Sequence, residues 1–283
     1  MNNTNPGTLY LCATPIGNLG DITSRVLDTL RTVDVIAAED TRNSIRLLNH
    51  FDINTPMTSY HEHNKYDKAE VLITRLLAGE DIALITDAGT PAISDPGEVL
   101  VKRCHEEGIR VTSLPGPVAA ITALTMSGLD TRRFVFEGFL PYDKKEKEQV
   151  LTGLTDEHRT IIMYEAPHHL TRTLKELINA LGDRRISLCR ELTKLHEEAV
   201  LTTISEAITY YENNDPRGEY VLVIEGKDIE ASKAEDQAKW EEMSIRDHMD
   251  VYLEQGIDRK EAMKKVAADR GISKRDVYRE LLD

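Results

Sequence analysis

Aromatic residues are scarce in this chain, and cysteine scarcer still. Phe, Trp and Tyr make up 5% of the 283 residues, so the cores must be built mainly from Leu, Ile, Val and Ala. The three cysteines, Cys12, Cys104 and Cys189, are far apart and set in apolar runs. An odd, scattered set of this kind excludes a disulfide framework and reads as buried free thiols in a reducing compartment. No CxxC, HExxH or P-loop pattern occurs. His61-Glu62-His63 has no further ligands beside it and reads as a polar strand end, so no metal site is expected. No apolar run approaches the roughly 20 residues that a bilayer-spanning helix needs. Met1 to Gly7 carries neither a basic nor an apolar leader region. The expectation is a cytoplasmic chain with no membrane partner. Positive charge is also in short supply: 35 Lys and Arg against 49 Asp and Glu give a net charge of −14. That argues against non-specific attachment to a polyanion, though not against a small basic surface on an acidic body.

What is present is an alternation of short apolar runs with helical patterns. Thr8–Ala13, Asp34–Ala38, Asp81–Thr86 and Arg110–Leu114 read as buried strands. Helical spacing fills the intervals at 21–31, 41–51, 65–77, 97–107 and 118–127. Such alternation predicts an α/β unit with a mostly parallel, helix-covered sheet. The charge run Asp143–Glu148 reads as a solvated helix start or linker, and a boundary is placed before it. A second unit follows, with strands at 160–164, 186–189, 198–203 and 220–224 and helices at 169–181 and 204–211. Some of its connections are too short for crossover helices, so mixed pairing is expected. Lys227–Lys239 is polar and reads as a linker. Ile245–Leu282 reads as about three short helices, of which Ala262–Tyr278 has the shape of a helix-turn-helix. The division expected is 1–139, an N-terminal α/β domain; 140–228, a second α/β domain; and 229–283, a linker with a small C-terminal helical domain.

Three loops rich in Gly and Pro lie at the carboxyl ends of predicted strands, where ligands bind in open α/β sheets. They are Thr14–Asn18, Asp87–Gly97 and Pro115–Pro117. Together they argue for a preformed pocket without naming its ligand. None is the G-x-G-x-x-G dinucleotide fingerprint.

Several long motifs carry a resemblance to a known family. They are Ala13–Leu19, Ala37–Arg42, Asp87–Gly97, Leu114–Pro117 with Ala119–Leu124, Tyr164-Glu165, Arg190–Lys194 and Gly218-Glu219. Through them the chain resembles the tetrapyrrole methylase-type (class III) methyltransferases, and within these the branch that acts on small-subunit ribosomal RNA. The resemblance covers nearly the whole chain. It implies two α/β domains with S-adenosylmethionine (SAM) in the cleft between them, S-adenosylhomocysteine as product, and a homodimer. It implies 2′-O-methylation of a cytidine ribose in the decoding region of 16S ribosomal RNA, with the small subunit as partner. Pro15 matches the first SAM-loop proline. Asp87, Ala88, Gly89 and Thr90 fall on a second loop, where tetrapyrrole enzymes carry Gly-Asp-Pro and this chain carries Gly89-Thr90-Pro91. Ile93, Thr122 and Ala123 fall at further cofactor positions, and Tyr164, Glu165, Leu201 and Thr202 close over the cofactor from the second domain. Core packing explains Ile93, Ala123 and Leu201 equally well.

A ribose hydroxyl is a weak nucleophile, so a methylase acting on it must remove its proton or stabilise its charge. Glu39, Asp40 and Arg42 follow an apolar strand directly and are candidates, with Asp40 equally suited to capping the next helix. Glu191 and Lys194, beside Arg190, form a second cluster after a strand of the second unit; a solvated, salt-bridged turn is the alternative. For RNA contact the candidate is the stretch from Arg259 to Arg279, with eight Lys and Arg against three acidic residues. Lys264, Lys265, Lys274, Arg275 and Arg279 are its named members. Two other readings stay open on sequence: a methylase of small tetrapyrroles, and a DNA-binding regulator working through the C-terminal helices.

Overall fold

The computed structural model describes residues 5–229, 240 and 243–281. Most of the expected linker, from residue 230 to 239, lies outside the described residues, as do residues 1–4. The first unit carries strands β1 (Thr8–Cys12), β2 (Val35–Ala38), β3 (Met57–Ser59), β4 (Ile82–Ile85) and β5 (Arg110–Leu114). They pair in the order β3-β2-β4-β1-β5, every pair parallel. Helices α1 (Ser24–Thr32), α2 (Thr41–His50), α3 (Lys65–Leu77), α4 (Gly97–Glu106) and α5 (Ala119–Met126) connect them. β2 and β4 are buried at every position, as unbroken apolar strands are when both faces of a parallel sheet are covered. Two cores result. Leu9, Leu72, Leu76 and Leu100 fill one face, and Leu30, Ile36, Leu48 and Ile85 fill the other. Because the strands are parallel, the loops after β1, β2, β4 and β5 all emerge at one edge.

The second sheet holds β6 (Phe134–Phe139), β7 (Thr160–Glu165), β8 (Arg185–Arg190), β9 (Glu198–Thr203) and β10 (Tyr220–Ile224), in the order β6-β7-β10-β8-β9. Only β6 and β7 pair parallel; the other three pairs are antiparallel, matching the expectation of a mixed sheet. Helices α6 (Lys144–Leu154), α7 (Leu170–Leu181) and α8 (Ile204–Asn213) cover one face, over Leu151, Leu174, Leu177, Ile186 and Leu222. The other face, with Ile162, Cys189, Val221 and Val223, packs on Ala120, Ala123 and Leu124 of α5. α5, read as Ala-Ala-Ile-Thr-Ala-Leu-Thr-Met, has no charged side: one side packs on the second sheet, and Ile121 and Met126 stay exposed. The expected break at 139/140 needs moving on this point. β6 precedes it, yet its only pairing is to β7 in the second sheet. Sequence reading missed β6 because its residues do not alternate, and a bulge between Phe136 and Gly138 breaks its register. The charge run at 143–148 is the start of α6, capped by Asp143.

The C-terminal unit consists of α9 (Ile245–Glu254), α10 (Arg259–Asp269) and α11 (Lys274–Glu280), packed on Met249, Ala262, Val266 and Val277. A Ser273–Asp276 capping box starts α11, as the helix-turn-helix shape requires. His248 is fully buried here. It stacks on Trp240 at 3.7 Å, accepts at Nδ1 from Arg270 Nε at 3.1 Å, and faces Asp269 through Nε2 at 3.3 Å. Burial, then the neighbouring Arg270 cation, hold its pKa below the ordinary imidazole value. The neutral ring is therefore the folded form. The unfolded chain binds the proton more readily, so this contribution to stability is complete above about pH 6.5 and is lost as pH falls through the folded value. Trp240 is the only tryptophan. Its emission should hold steady as pH is lowered to about 6.5 and change only below it, and the change should vanish in His248→Phe. A wild-type transition centred at or above about pH 6.5 contradicts the assignment.

Candidate active site

The three Gly/Pro loops are tied to one another. Thr14 and Gly89 exchange both backbone hydrogen bonds, at 2.9 and 3.0 Å, and Thr14 Oγ1 donates to the Thr86 carbonyl at 3.1 Å. Thr90 Oγ1 donates to the Pro117 carbonyl at 3.1 Å, which joins the second loop to the third. Within the second loop, the Asp95 carboxylate accepts from the backbone N–H groups of Ala92, Ile93 and Gly97 at 2.8–3.1 Å. Ala92 and Ser94 are held in the left-handed region at φ +68° and +61°, as is Gly89 at +85°. Non-glycine residues rest there only when their surroundings over-determine them. The loop is therefore stiff before any ligand arrives.

These loops and the second sheet enclose a cleft of about 450 Å³. From the first unit it is lined by Ile16, Glu39, Thr86, Ala88, Gly89, Thr90, Ile93, Ser94, Asp95, Val118 and Ala119. From the second come Phe139, Tyr164, Glu165, Ala166, Pro167, Leu192, Glu219, Tyr220 and Val221. Tyr164 meets Phe136 and Phe139 at ring-centroid distances of 5.1 and 5.5 Å, so several of the chain's few aromatics gather on this wall. Burial raises the Tyr164 pKa. The lining holds four carboxylates and no Lys, Arg or His. Asp95 is spent on its loop, and Glu165 accepts from Thr173 and from the Ala166 N–H. Glu219 takes the Lys194 ammonium at 2.7 Å. Glu39 uses Oε2 alone, accepting from Thr86 Oγ1 at 2.6 Å and the Asp87 N–H at 3.5 Å. Its Oε1 makes no hydrogen bond among the described residues.

The sequence candidates divide accordingly. Glu39, Ala88, Gly89, Thr90, Ile93, Tyr164 and Glu165 line the cleft. Asp40 caps α2 and holds Arg42 through Oδ1 and Oδ2 at 3.0 and 2.7 Å, and the Arg42 side chain is itself exposed. That arrangement pulls the Asp40 pKa down to about 2. Thr122 and Ala123 lie in α5 outside the lining, with Ala123 fully buried between α5 and the second sheet. Leu201 and Thr202 lie on the edge strand β9, also outside the lining, where Thr202 Oγ1 bonds Glu206. Lys194 bridges Glu191 at 2.9 Å and Glu219. The Glu191 carboxylate also accepts the Glu219 N–H at 3.0 Å, and its pKa is lowered, chiefly by Lys194. A Cβ on Gly17 would stand 2.5 Å from Lys194 Cγ, so this turn of the second unit touches the first Gly/Pro loop. Phe139, Leu192 and Glu219 escaped sequence reading. Phe139 was hidden by the misplaced boundary, whereas Glu219 sat in a quoted motif and could have been found there.

Pro15 and Asp87 line a second cavity of about 350 Å³ on the other side of the Thr14–Asn18 loop. Thr14, Gly17, Leu19, Asn43, Ser44, Arg46, Leu47, His50 and Thr86 complete it. Asn43 Nδ2 donates to Asp87 Oδ2 at 3.3 Å, and burial raises the Asp87 pKa. Among the described residues no cluster of His, Cys, Asp and Glu is arranged to hold a metal ion. None of their helices is long and apolar enough to cross a membrane.

Of the basic C-terminal residues, Lys264 pairs with Glu261 and Arg279 with Asp276, and Lys265 lies over the Tyr252 ring. Arg259, Lys260, Lys274 and Arg275 make no ion pair among the described residues.

The family model for tetrapyrrole (corrin/porphyrin) methylases matches residues 8–208. A Synechocystis protein named ribosomal RNA small subunit methyltransferase I is 48% identical over 273 residues, covering 96% of both chains. A Bacillus subtilis protein of the same name is 48% identical over 272 residues, covering 96% of this chain and 93% of that one. Among solved structures, a cobalt precorrin-4 methyltransferase superposes with a TM-score of 0.56 at 20% identity, covering 77% of this chain and 94% of that one. At that identity the match speaks for the fold alone.

Proposed function

The chain belongs to the tetrapyrrole methylase family, whose members draw a methyl group from SAM, and from that premise we propose that it methylates a ribose hydroxyl of small-subunit ribosomal RNA. The names of its relatives support the RNA, and the motif resemblance supports the 2′-oxygen of a cytidine in the decoding region. The observation that carries the cofactor assignment is the charge of the cleft. Four carboxylates line it with no cation among the lining residues, and of the four only Glu219 is neutralised by a Lys or Arg, Lys194; this suits a ligand of net positive charge and disfavours one bearing phosphates. Bound there, SAM supplies a methyl already activated by its positive sulfur.

The chain's own contribution is placement and one proton. Ala88, Gly89, Thr90 and Ile93 offer a stiff wall on one side, with Tyr164 and Glu165 on the other. Holding nucleophile, methyl and sulfur in line is where most of the acceleration arises. Glu39 Oε1 would accept the hydroxyl proton as that oxygen takes the methyl that SAM supplies, with S-adenosylhomocysteine as the leaving group. Arg42, held by Asp40, and Lys194, held by Glu191 and Glu219, present cations near the mouth for RNA phosphates. Lys264, Lys265, Lys274, Arg275 and Arg279 form a further phosphate-binding face. The protein acts in the cytoplasm as a homodimer. Ile121 and Met126 of α5 and Val200 and Leu201 of β9, the strand at the edge of the second sheet, are exposed, and they support an interface there.

Ribose methylation should be mapped on small-subunit RNA from cells with and without the protein. One 2′-O-methyl should disappear in its absence, and an unchanged map overturns the reading. Removing residues 240–283 should weaken binding to the subunit and leave SAM affinity intact. Unaltered subunit affinity would place the RNA contact elsewhere.

A further inference from the structure

The second cavity differs from the first in chemistry. The main cleft has only carboxylates, whereas the second brings in the cation Arg46 and the imidazole of His50, with Asp87 its single acid. Its volume of about 350 Å³ falls in the ordinary range for small-ligand pockets, roughly 300–1,000 Å³. Arg46 makes no ion pair or hydrogen bond among the described residues, and neither does the Ser44 hydroxyl. Leu19, Leu47 and Pro15 supply apolar surface beside them. Polar groups of both kinds around an apolar floor match a nucleotide: a flat base with donors and acceptors on its edge, joined to an anion.

Placement points the same way. Thr86 lines both cavities, and its hydroxyl is bonded to Glu39, the carboxylate assigned to the hydroxyl proton. A ligand in the second cavity therefore lies against Thr86, whose hydroxyl is bonded to the Glu39 carboxylate of the main cleft. We propose that this cavity, resting on the ribosomal RNA reading above, receives the target nucleotide itself, swung out of its stack so that its ribose meets Glu39. Asp87, whose Oδ2 is already paired with Asn43, offers Oδ1 to an exocyclic amine on the base. Arg46 takes the adjoining phosphate, and Leu19 and Leu47 pack on the base faces. Enzymes that modify nucleotides in structured nucleic acid reach them by extruding the target into such a pocket.

The test uses the full-length protein, SAM and small subunits lacking this methyl. Arg46→Ala should raise the KM for the subunit by about ten-fold or more, the equivalent of one lost charge-assisted hydrogen bond, with little change in kcat. Arg46→Lys should recover part of it. Leu47→Trp, which fills the cavity, should abolish methylation while SAM binding stays within about two-fold of wild type, since the two ligands occupy separate spaces. Cytidine 5′-monophosphate should compete with the subunit and not with SAM. If wild type methylates and both Arg46→Ala and Leu47→Trp keep the wild-type KM, the pocket assignment is overturned while the RNA reading stands. If wild type methylates no ribosomal RNA, the RNA reading itself has failed.

Discussion

Replacing Glu39 with Gln should lower kcat by about 10²–10⁴, the usual contribution of a positioned general base. The substitution is nearly isosteric. Its amide oxygen still accepts from Thr86 Oγ1, so the β2 and β4 loops keep their bond. What disappears is the free Oε1 lone pair and one of four negative charges in the cleft. SAM affinity should weaken no more than a few-fold, because the other three carboxylates remain. Asp40→Asn serves as the contrast. Asp40 is one residue away, but both of its oxygens are committed to Arg42 and to the start of α2. An asparagine caps a helix nearly as well, so single-turnover rates for this variant should fall far less than for Glu39→Gln. Equal losses in the two variants, or full activity in Glu39→Gln, exclude Glu39 as the base. Glu191 is then the group to test next.

The first sheet was legible because its pattern is unambiguous. Val35–Ala38 and Ile82–Ile85 are unbroken apolar runs between helical stretches, and a parallel sheet covered on both faces is the arrangement that buries them fully. The loops were legible because Gly and Pro mark them and topology puts them at one edge. Sequence reading faltered where tertiary contact decides. β6 contains a glycine at φ +63° and a bulge, so it shows no period, yet it carries Phe139 to the cleft. Three-residue β3 is too short to show a pattern of its own. Leu192 and Glu219 reach the cleft only because the turns around Glu191 and Gly218 fold against each other, with residue 191 at φ +50°. The capping role of Asp40 was foreseeable, and it proved compatible with holding Arg42. The existence of two cavities, one without cations and one with Arg46, could not be foreseen. It depends on which side of the Thr14–Asn18 loop each side chain falls, and no one-dimensional pattern records that.

Gly116, in the third Gly/Pro loop, lies tight against Ala13, and a methyl added there should be costly. A Cβ on Gly116 would stand 2.5 Å from the Ala13 Cβ, well inside van der Waals contact. Ala13 follows β1 directly, is fully buried, and cannot yield without moving the bridge between Thr14 and Gly89. In Gly116→Ala the Pro115–Pro117 loop must instead lift off the sheet. Overpacking of this kind costs about 1–3 kcal/mol. The Pro117 carbonyl moves with the loop, so Thr90 Oγ1 loses its acceptor, and Val118 and Ala119 shift in the lining. SAM affinity should fall by about ten-fold or more, because 1.4 kcal/mol of lost placement is enough for that. Thermal midpoint and calorimetric SAM titration read the two effects. The collision is specific to one pair of methyl groups, so its repair is specific too. Ala13→Gly in the Gly116→Ala background removes the obstructing Cβ and should restore most of the affinity. Ala13→Gly alone should cost stability without matching the affinity loss. A double variant no better than Gly116→Ala would mean that the loop fails for a reason other than this contact.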